Sequence, residues 1–556
     1  MKTYVGDFET TDRDGFMSVW LFDLCDLETL EHKTFTSLSD GLEWIQDDCI
    51  LYFHNIKFDG SYIIDYLFRS GYAWVKKQNE VRDRGLMNFL ITDSGVWFMG
   101  SVWLKHGPRI KLYDSYKKIP LKAELIAESY KLPILKGCID YDAPRPEGYS
   151  PTPEEISYVR NDTEIIARAL TMHFNQGLDQ MTAPADAFQA IKATVVDNYR
   201  KLGIQYMRQH PDVESYCRKA YFGGISWVNP LIVGKEVGAG VVYDVNSLYP
   251  HVMRSYPYPV YYPVQMKEFS SVDGCLWISR FYVDVRRIPG CLPTLRVGSS
   301  WVEGGYFGEV TLTSVDYELL TQNYDGDIEW LDGYKWRHSD DLLFTEFIDY
   351  WGEKKMRDTG GARQIDKLMM NSGYGKFGIN PDKARKDAVF DPVKNIVRYP
   401  TCKEREKLLP NNVAIAAFVT SYARRELNRG IQQSTGFCYC DTDSVHLATW
   451  VNPITGNTET PSFAGEVHPT KLGAWKGESR FIRARYIRQK TYIEEAEDGS
   501  LEVKACGMPD STKKYVTFDN FRLGANYPGK LMPVVMPGGI KLVESTFTVC
   551  EGRVRF

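Results

Sequence analysis

Two aspartates, Asp441 and Asp443, stand two residues apart in the β-prone run "CYCDTDSVH". On an extended strand, residues i and i+2 share a face, so these carboxylates would lie side by side and repel. A hard divalent cation answers that repulsion, because Mg²⁺ takes carboxylate and phosphate oxygens. The competing reading is a hairpin turn with Asp and Ser at its tip. A third acid, Asp244, closes the apolar run "GAGVVYDVNSLYP" just before a turn into a short helix, with Tyr249 five residues on. Asp244 and Asp443 on neighbouring strands would suit metal-assisted nucleotidyl transfer. Asp441 would then shape the field and the metal geometry without having to ligate.

A second set of acids lies near the start. "TYVGDFET" alternates like a strand and puts Asp7 and Glu9 on one face. "LYFHNIKFDG" is another apolar run, ending in Asn55, Phe58 and Asp59. In "SPTPEEISYVRND", Thr152 is a good N-cap, Pro153 fits the first helical position and Glu155 completes a capping box. On the predicted helix Tyr158 and Asp162 lie at i and i+4 and share a face. Asp7, Glu9, Asp59 and Asp162 can therefore converge on two Mg²⁺ ions about 3.5–4 Å apart, the arrangement for in-line phosphodiester hydrolysis. Tyr158 would orient the attacking water.

The elements between these sets carry charge. "WGEKKMRDTGGARQIDKLMMNSGYGKFG" reads as two helices broken at Gly360 and Gly361. On the second, Arg363, Lys367, Asn371 and Tyr374 form one stripe, a poor core face and a good one for a triphosphate followed by a base. "RARYIRQKTYI" gathers Arg483, Arg485, Arg488 and Lys490 among aromatics, a surface suited to tracking phosphates. The 556 residues exceed one ordinary core, so three or more domains are expected. A net charge of −5 excludes a generally basic nucleic-acid coat. Eleven cysteines without CxxC spacing argue against a disulfide framework or a zinc site and for a reducing compartment. No run has the length of a membrane span, and "MKTYVGDFET" does not read as a signal peptide.

In order and spacing, "DFET", "YFHNIKFDG", "YVRND", "DVNSLYP", "KLMMNSGYGKFG", "YCDTDS" and "KTY" resemble the protein-primed family B DNA polymerases of small tailed phages with linear genomes, essentially end to end. The resemblance implies an α/β multidomain chain: a ribonuclease H-like exonuclease domain (1–182) followed by a right-hand polymerase. That polymerase would comprise palm (183–255 and 412–505), fingers (343–378), thumb (506–556) and two insertions. It also implies roles. Asp244, Asp443 and Val245 would ligate metal at the polymerase site, with Asp441 beside them. Tyr249 would gate against ribose, and Val245, Lys355, Arg363, Lys367, Asn371 and Tyr374 would contact the incoming nucleotide. Lys490 and Tyr492 would hold the primer end, and Tyr221, Gly223 and Gly224 of "YFGG" would contact DNA in the linker. Thr10, Asn55, Phe58, Ser115 and Tyr116 would meet single-stranded DNA at the exonuclease, with Lys136 auxiliary.

Two long connections fit this branch. Residues 256–342 would dock a terminal protein that serves as primer. Residues 379–411, with eight Lys/Arg against five acids, would serve strand displacement and processivity. Two departures stand out: Phe222 and Gly373 occupy places where relatives often carry Arg and a larger residue. The first puts the balance of primer between the sites in question, and the second implies a looser nucleotide pocket. Expected cofactors are two Mg²⁺ per site, with Mn²⁺ as substitute. Expected partners are primer-template DNA, dNTPs and the terminal protein, to a monomer or heterodimer in the host cytoplasm. The rival readings are a family B polymerase that uses nucleic-acid primers or starts without one, and a non-catalytic DNA-binding scaffold.

Overall fold

The computed structural model describes residues 1–141, 143–270 and 274–550; the last six residues of the expected thumb lie outside them. Strand Lys2–Arg13 is central to a nine-stranded mixed sheet. It runs parallel to Cys49–Phe53, which runs parallel to Arg109–Asp114, while Phe16–Asp26 returns antiparallel on its other side. Helix Pro153–Phe174 packs on Lys2–Arg13 and Phe16–Asp26. Its start follows the sequence signal: Thr152 accepts from the Glu155 amide, Glu155 returns the bond, and Pro153 opens the first turn.

The second centre is a five-stranded antiparallel sheet in the order Trp475–Phe481, Gly240–Val245, Ser444–Ala448, Phe437–Asp441, Ser226–Val228. Helix Val413–Gln432 backs it, and its alanine-rich first half, "VAIAAFVTSYA", is buried all round. Two helices, Thr345–Arg357 and Gly360–Ser372, pack on each other and on the short helix Leu248–Ser255 that follows Gly240–Val245. Gly360 sits at φ +57°, a left-handed conformation that lets the chain turn between them. One continuous apolar core joins helix Pro153–Phe174, the short helices between residues 183 and 218 and the five-stranded sheet. A second core lies under the nine-stranded sheet.

The two long connections are folded. Residues 256–342 contain a four-stranded sheet in the order Pro263–Gln265, Tyr324–Trp336, Leu276–Arg287, Gly305–Thr313. In the segment 379–411, Arg385–Lys386 adds to the edge of the nine-stranded sheet beside Leu86–Thr92. Near the C-terminus a long hairpin, Asn526–Met536 with Gly539–Thr548, reaches back to the first domain. At its tip Pro537 accepts from the Met17 amide at 2.8 Å and Ile540 accepts from the Tyr62 hydroxyl at 2.5 Å. Lys541 meets Asp12 at 2.6 Å. Among the described residues, no helix is long and apolar enough to cross a membrane.

Two expectations are corrected. Asp441 and Asp443 do not share a strand face: the strand ends at Asp441, Thr442 turns the chain at φ +60°, and the next strand starts at Ser444. The hairpin reading is the correct local structure. The "RARYIR" strand is also not free to track phosphates along its length. Arg483 is held by Glu495 at 2.5 Å and lies over the Phe518 ring. Arg485 donates to the carbonyls of Phe518 and Phe521. These arginines tie strand Arg483–Arg488 to the segment that follows it.

Candidate active sites

The turn solves what the strand could not. The Val245 amide donates to the Asp443 carbonyl at 2.8 Å, and Asp244 pairs across the ladder with Ser444. Asp443 is thus carried beside Asp244 at the strand ends. Burial, then the Asp443 and Glu478 charges, push the Asp244 carboxyl up to about 7, against the pull of Lys476 and Lys367. Burial, helped by the Asp441 charge, raises Asp443 too. Asp441 faces elsewhere: Lys490 Nζ holds both its oxygens at 2.7 and 2.8 Å, and the Tyr439 hydroxyl donates to it at 3.1 Å. The Lys490 amide donates to that hydroxyl, and the Tyr492 ring packs 5.2 Å from the Tyr439 ring.

A cleft of about 850 Å³ adjoins these acids, lined by Ser247, Lys355, Arg363 and Lys476 among others. Lys355 Nζ reaches the Ser247 hydroxyl at 3.3 Å. Burial and the neighbouring Arg363 and Lys367 charges lower its pKa. Three cations held that close favour a polyanion between them. Asn371 donates to the Lys367 carbonyl within the helix, and Tyr374 lies in the turn that follows. The Tyr374 ring stacks on Tyr249 with centroids 4.5 Å apart. Gly373 does not widen this cleft: a Cβ there would come within 2.5 Å of Ile191 Cδ1, so the glycine serves close packing on the far side.

Sequence reasoning missed what fixes the linker. Arg424, 1% exposed, takes both oxygens of Asp316 at 2.8 Å and donates to the carbonyls of Phe222 and Gly223 at 2.9 Å. A Cβ on Gly224 would meet Thr442 at 2.8 Å, so the linker lies directly against the Asp441–Asp443 turn. Tyr221 packs over Gly378, and the Phe222 ring carries Arg296 at 5.7 Å. The acid Glu478, on the strand beside Asp244, was also missed. Only its membership of an apolar-flanked strand could have marked it.

The other site is built on the nine-stranded sheet. Asp7 and Glu9 point from one strand, Asp59 lies in the first turn of helix Lys57–Arg69, and Asp162 faces them from helix Pro153–Phe174. Each acid raises its neighbours: burial first, then the Asp59, Asp162 and Glu9 charges, hold Asp7 well above the usual range. Burial and Asp162 push Glu9 up to about 7. Burial leads the upward shift at Asp59 and at Asp162 as well. Lys136 Nζ holds Asp162 Oδ2 at 2.6 Å, while buried Asp162 Oδ1 has no hydrogen-bond partner among the described residues. The Tyr158 hydroxyl meets that of Tyr141 at 2.7 Å. Tyr141, 65% exposed, is a further residue of this site that its surface-like sequence context concealed.

A cleft of about 510 Å³ opens here, lined by Asp7, Asn55, Tyr116, Lys136 and Asp162 among others. Asn55 adopts φ +74° and its amide donates to Asp114. Phe58 packs against Tyr62, and Thr10 follows a bulge at Glu9. Ser115 is fully buried and bonds His54 at 3.0 Å, so it reaches the cleft through that ring rather than directly. Among the described residues, no three Asp, Glu, His or Cys side chains already form a closed metal cage. The donor chemistry nonetheless fits hard cations. At both sites buried carboxylates lift one another, and at the site on the nine-stranded sheet one buried oxygen, Asp162 Oδ1, lacks a partner among the described residues.

A mixed-sheet acid site and a palm acid site beside a cationic helix pair define a polymerase. The chain belongs to the type B DNA polymerases, organellar and viral, whose family model matches residues 43–153 and 144–453; enzymes of this family use divalent metal ions. It is 37% identical to the DNA polymerase of Bacillus phage B103 and to that of Bacillus phage phi29, over 99% of each chain. It is 29% identical to the DNA polymerase of Streptococcus phage Cp-1 over 99% of this chain and 98% of that one. Its fold matches phi29 DNA polymerase complexed with primer-template DNA at a TM-score of 0.87 and 34% identity, over 99% of this chain and all of that one. The phi29 complex with primer-template DNA and incoming nucleotide matches at 0.84.

Proposed function

We propose that this DNA polymerase replicates a linear genome, starts from a hydroxyl of a terminal protein, displaces the non-template strand and edits with its 3′→5′ exonuclease. One observation carries the catalytic part of the reading: the Val245 amide bonds the Asp443 carbonyl and so brings Asp443 beside Asp244, at the edge of a cleft that Lys355, Arg363 and Lys367 keep cationic. Asp244, Asp443 and the Val245 carbonyl would hold two Mg²⁺ at the polymerase site, and Asp7, Glu9, Asp59 and Asp162 two more at the exonuclease site. When bound, the ions supply charge for the phosphates and lower the pKa of the attacking oxygen.

The protein's own groups do the positioning. Lys355, Arg363 and Lys367 take the triphosphate charge, which grows on the leaving group. The Tyr249 ring, braced by Tyr374, lies beneath the sugar and leaves no room for a 2′-hydroxyl. Lys490, seated on Asp441, presents its ammonium to the primer end. At the exonuclease, the Tyr141–Tyr158 hydroxyl pair orients water, and Lys136 offsets the crowded acids. Residues 256–342 dock the terminal protein, and residues 379–411, anchored on the exonuclease sheet, promote displacement and processivity.

First-nucleotide transfer tests the priming. Incubating the polymerase with its cognate terminal protein, template and one labelled dNTP should give a labelled protein. Extension of a DNA primer without any labelling of terminal protein would instead establish the nucleic-acid-primed alternative. Absence of Mg²⁺-dependent incorporation on either primer would leave the scaffold reading.

A further inference from the structure

One transverse row of the five-stranded sheet sets charged groups in a line. Register places Lys476 opposite Asp244, Asp244 opposite Ser444, and Ser444 opposite Asp441. Directly opposed residues of antiparallel strands share a face, and neighbouring strands lie about 4.8 Å apart. Lys476 therefore stands one strand beyond Asp244, on the side away from Asp443 and Asp441. At the other end of the row Lys490 is seated on Asp441. Two lysines thus bracket the acids.

The local strand serves this position. Tyr243 pairs with Gly477 and Val242 with Ser479, so Glu478 is an extra residue, a bulge of the kind that re-aims side chains beside active sites. Glu478 Oε2 lies 2.8 Å from Lys476 Nζ, with side chains 54% and 45% exposed. The hydrogen bond and charge of Glu478 raise the Lys476 pKa, which keeps it an ammonium at neutral pH. An exposed pair of this kind contributes little, so a phosphate can take the carboxylate's place. Lys476 lines the cleft of about 850 Å³ from the sheet, while Lys355 and Arg363 line it from the helix pair. The acids Asp349 and Glu353 line it too, the first held by Arg254 at 2.5 Å.

The row gives the reaction a direction. In nucleotidyl transfer the attacking and leaving oxygens stand roughly in line through the α-phosphorus. With the primer end at Lys490 and Asp441, the leaving group departs toward Lys476. We propose that Lys476 is a catalytic residue that binds the leaving pyrophosphate, exchanging the Glu478 carboxylate for its oxygens. The primer hydroxyl oxygen bonds the α-phosphorus, and the bond from that phosphorus to the bridging oxygen breaks. The electron pair of that bond stays on pyrophosphate, where Lys476 meets the charge, and the hydroxyl proton passes to water. The proposal rests on the reading of this cleft as the nucleotide site with the primer at Lys490, and it holds for a protein or a nucleic-acid primer alike.

The test uses the full chain in the Asp7→Ala, Glu9→Ala background, so that degradation does not obscure extension. Lys476→Ala and Lys476→Arg are compared with the parent in single-turnover incorporation of one dNTP, in inhibition by inorganic pyrophosphate and in primer-template affinity. Lys476→Ala should lower the maximal rate and raise the inhibitory pyrophosphate concentration, each roughly tenfold, the scale of one charge-assisted hydrogen bond. Primer-template affinity should stay unchanged, and Lys476→Arg, which keeps the charge, should restore most of both losses. Lys367→Ala on the facing helix is the reference. If Lys367→Ala impairs incorporation while Lys476→Ala leaves rate and pyrophosphate inhibition unchanged, the proposal is overturned and the reading of the cleft stands. If neither variant alters nucleotide kinetics, both fall. A loss of primer-template affinity alone in Lys476→Ala would place the lysine on DNA and also overturn the proposal.

Discussion

The two acid sites handle charge in opposite ways. At the exonuclease, four carboxylates from three segments crowd together with Lys136 as the nearby cation, and each pushes the others up. At the polymerase, Asp244 and Asp443 face cations on the helix pair and on the neighbouring strand. The difference follows from the substrates. A strand end brings one phosphodiester to be attacked by water, so the protein itself supplies most of the carboxylates. A nucleotide brings a triphosphate, so the protein supplies positive charge around fewer acids. The same metal chemistry thus calls for different protein electrostatics.

The sharpest way to break this comparison is at the acids. Asp443→Ala should lower primer extension on the order of 10³-fold or more, the scale of losing a group that stabilises transition-state charge. Degradation of single strands should continue, as measured in parallel on the same preparation. Lys367→Ala tests the cationic half. Removing a charge-assisted hydrogen bond of about 1.5–3 kcal/mol should lower the maximal incorporation rate as well as nucleotide affinity, by roughly 10–150-fold in their ratio. A fall in DNA affinity alone would make the stripe a backbone-binding face. Tyr249→Val should raise incorporation of ribonucleotides relative to deoxynucleotides roughly tenfold in single-turnover kinetics, the scale set by one pocket side chain. The smallest effect lies where the domains meet. Tyr62→Phe removes the hydroxyl bond to Ile540, worth about 1 kcal/mol. It should speed hydrogen exchange of the Met17 amide, which donates to Pro537, roughly fivefold.

Local chemistry was legible in the sequence. The capping box at Thr152 and Glu155 fixed where its helix begins, and with it the shared face of Tyr158 and Asp162, because caps act over a few residues. The Asp441–Asp443 geometry was not legible in the same way. Thr442 adopts a left-handed turn without the Gly or Asn that usually signals one, so alternation along an uninterrupted strand was the wrong period. What lay furthest out of reach was non-local. Arg424 pairs with Asp316, 108 residues away, and clasps the linker by its carbonyls. Tyr62 meets Ile540 across 478 residues. In the sequence Arg424 is one arginine of a helical pattern; only burial gives it a partner. Arg483 and Arg485 teach the converse, since their local sequence suggests exposure where Glu495 and two carbonyls wait.

The central claim is that two electrostatically distinct sites act independently on one chain. Its most direct test is the Asp7→Ala, Glu9→Ala double variant, assayed with Mg²⁺ for degradation of a labelled single strand and for extension of a labelled primer. The account predicts degradation reduced to background with extension within a few-fold of the parent. A folded double variant that also loses extension would contradict it.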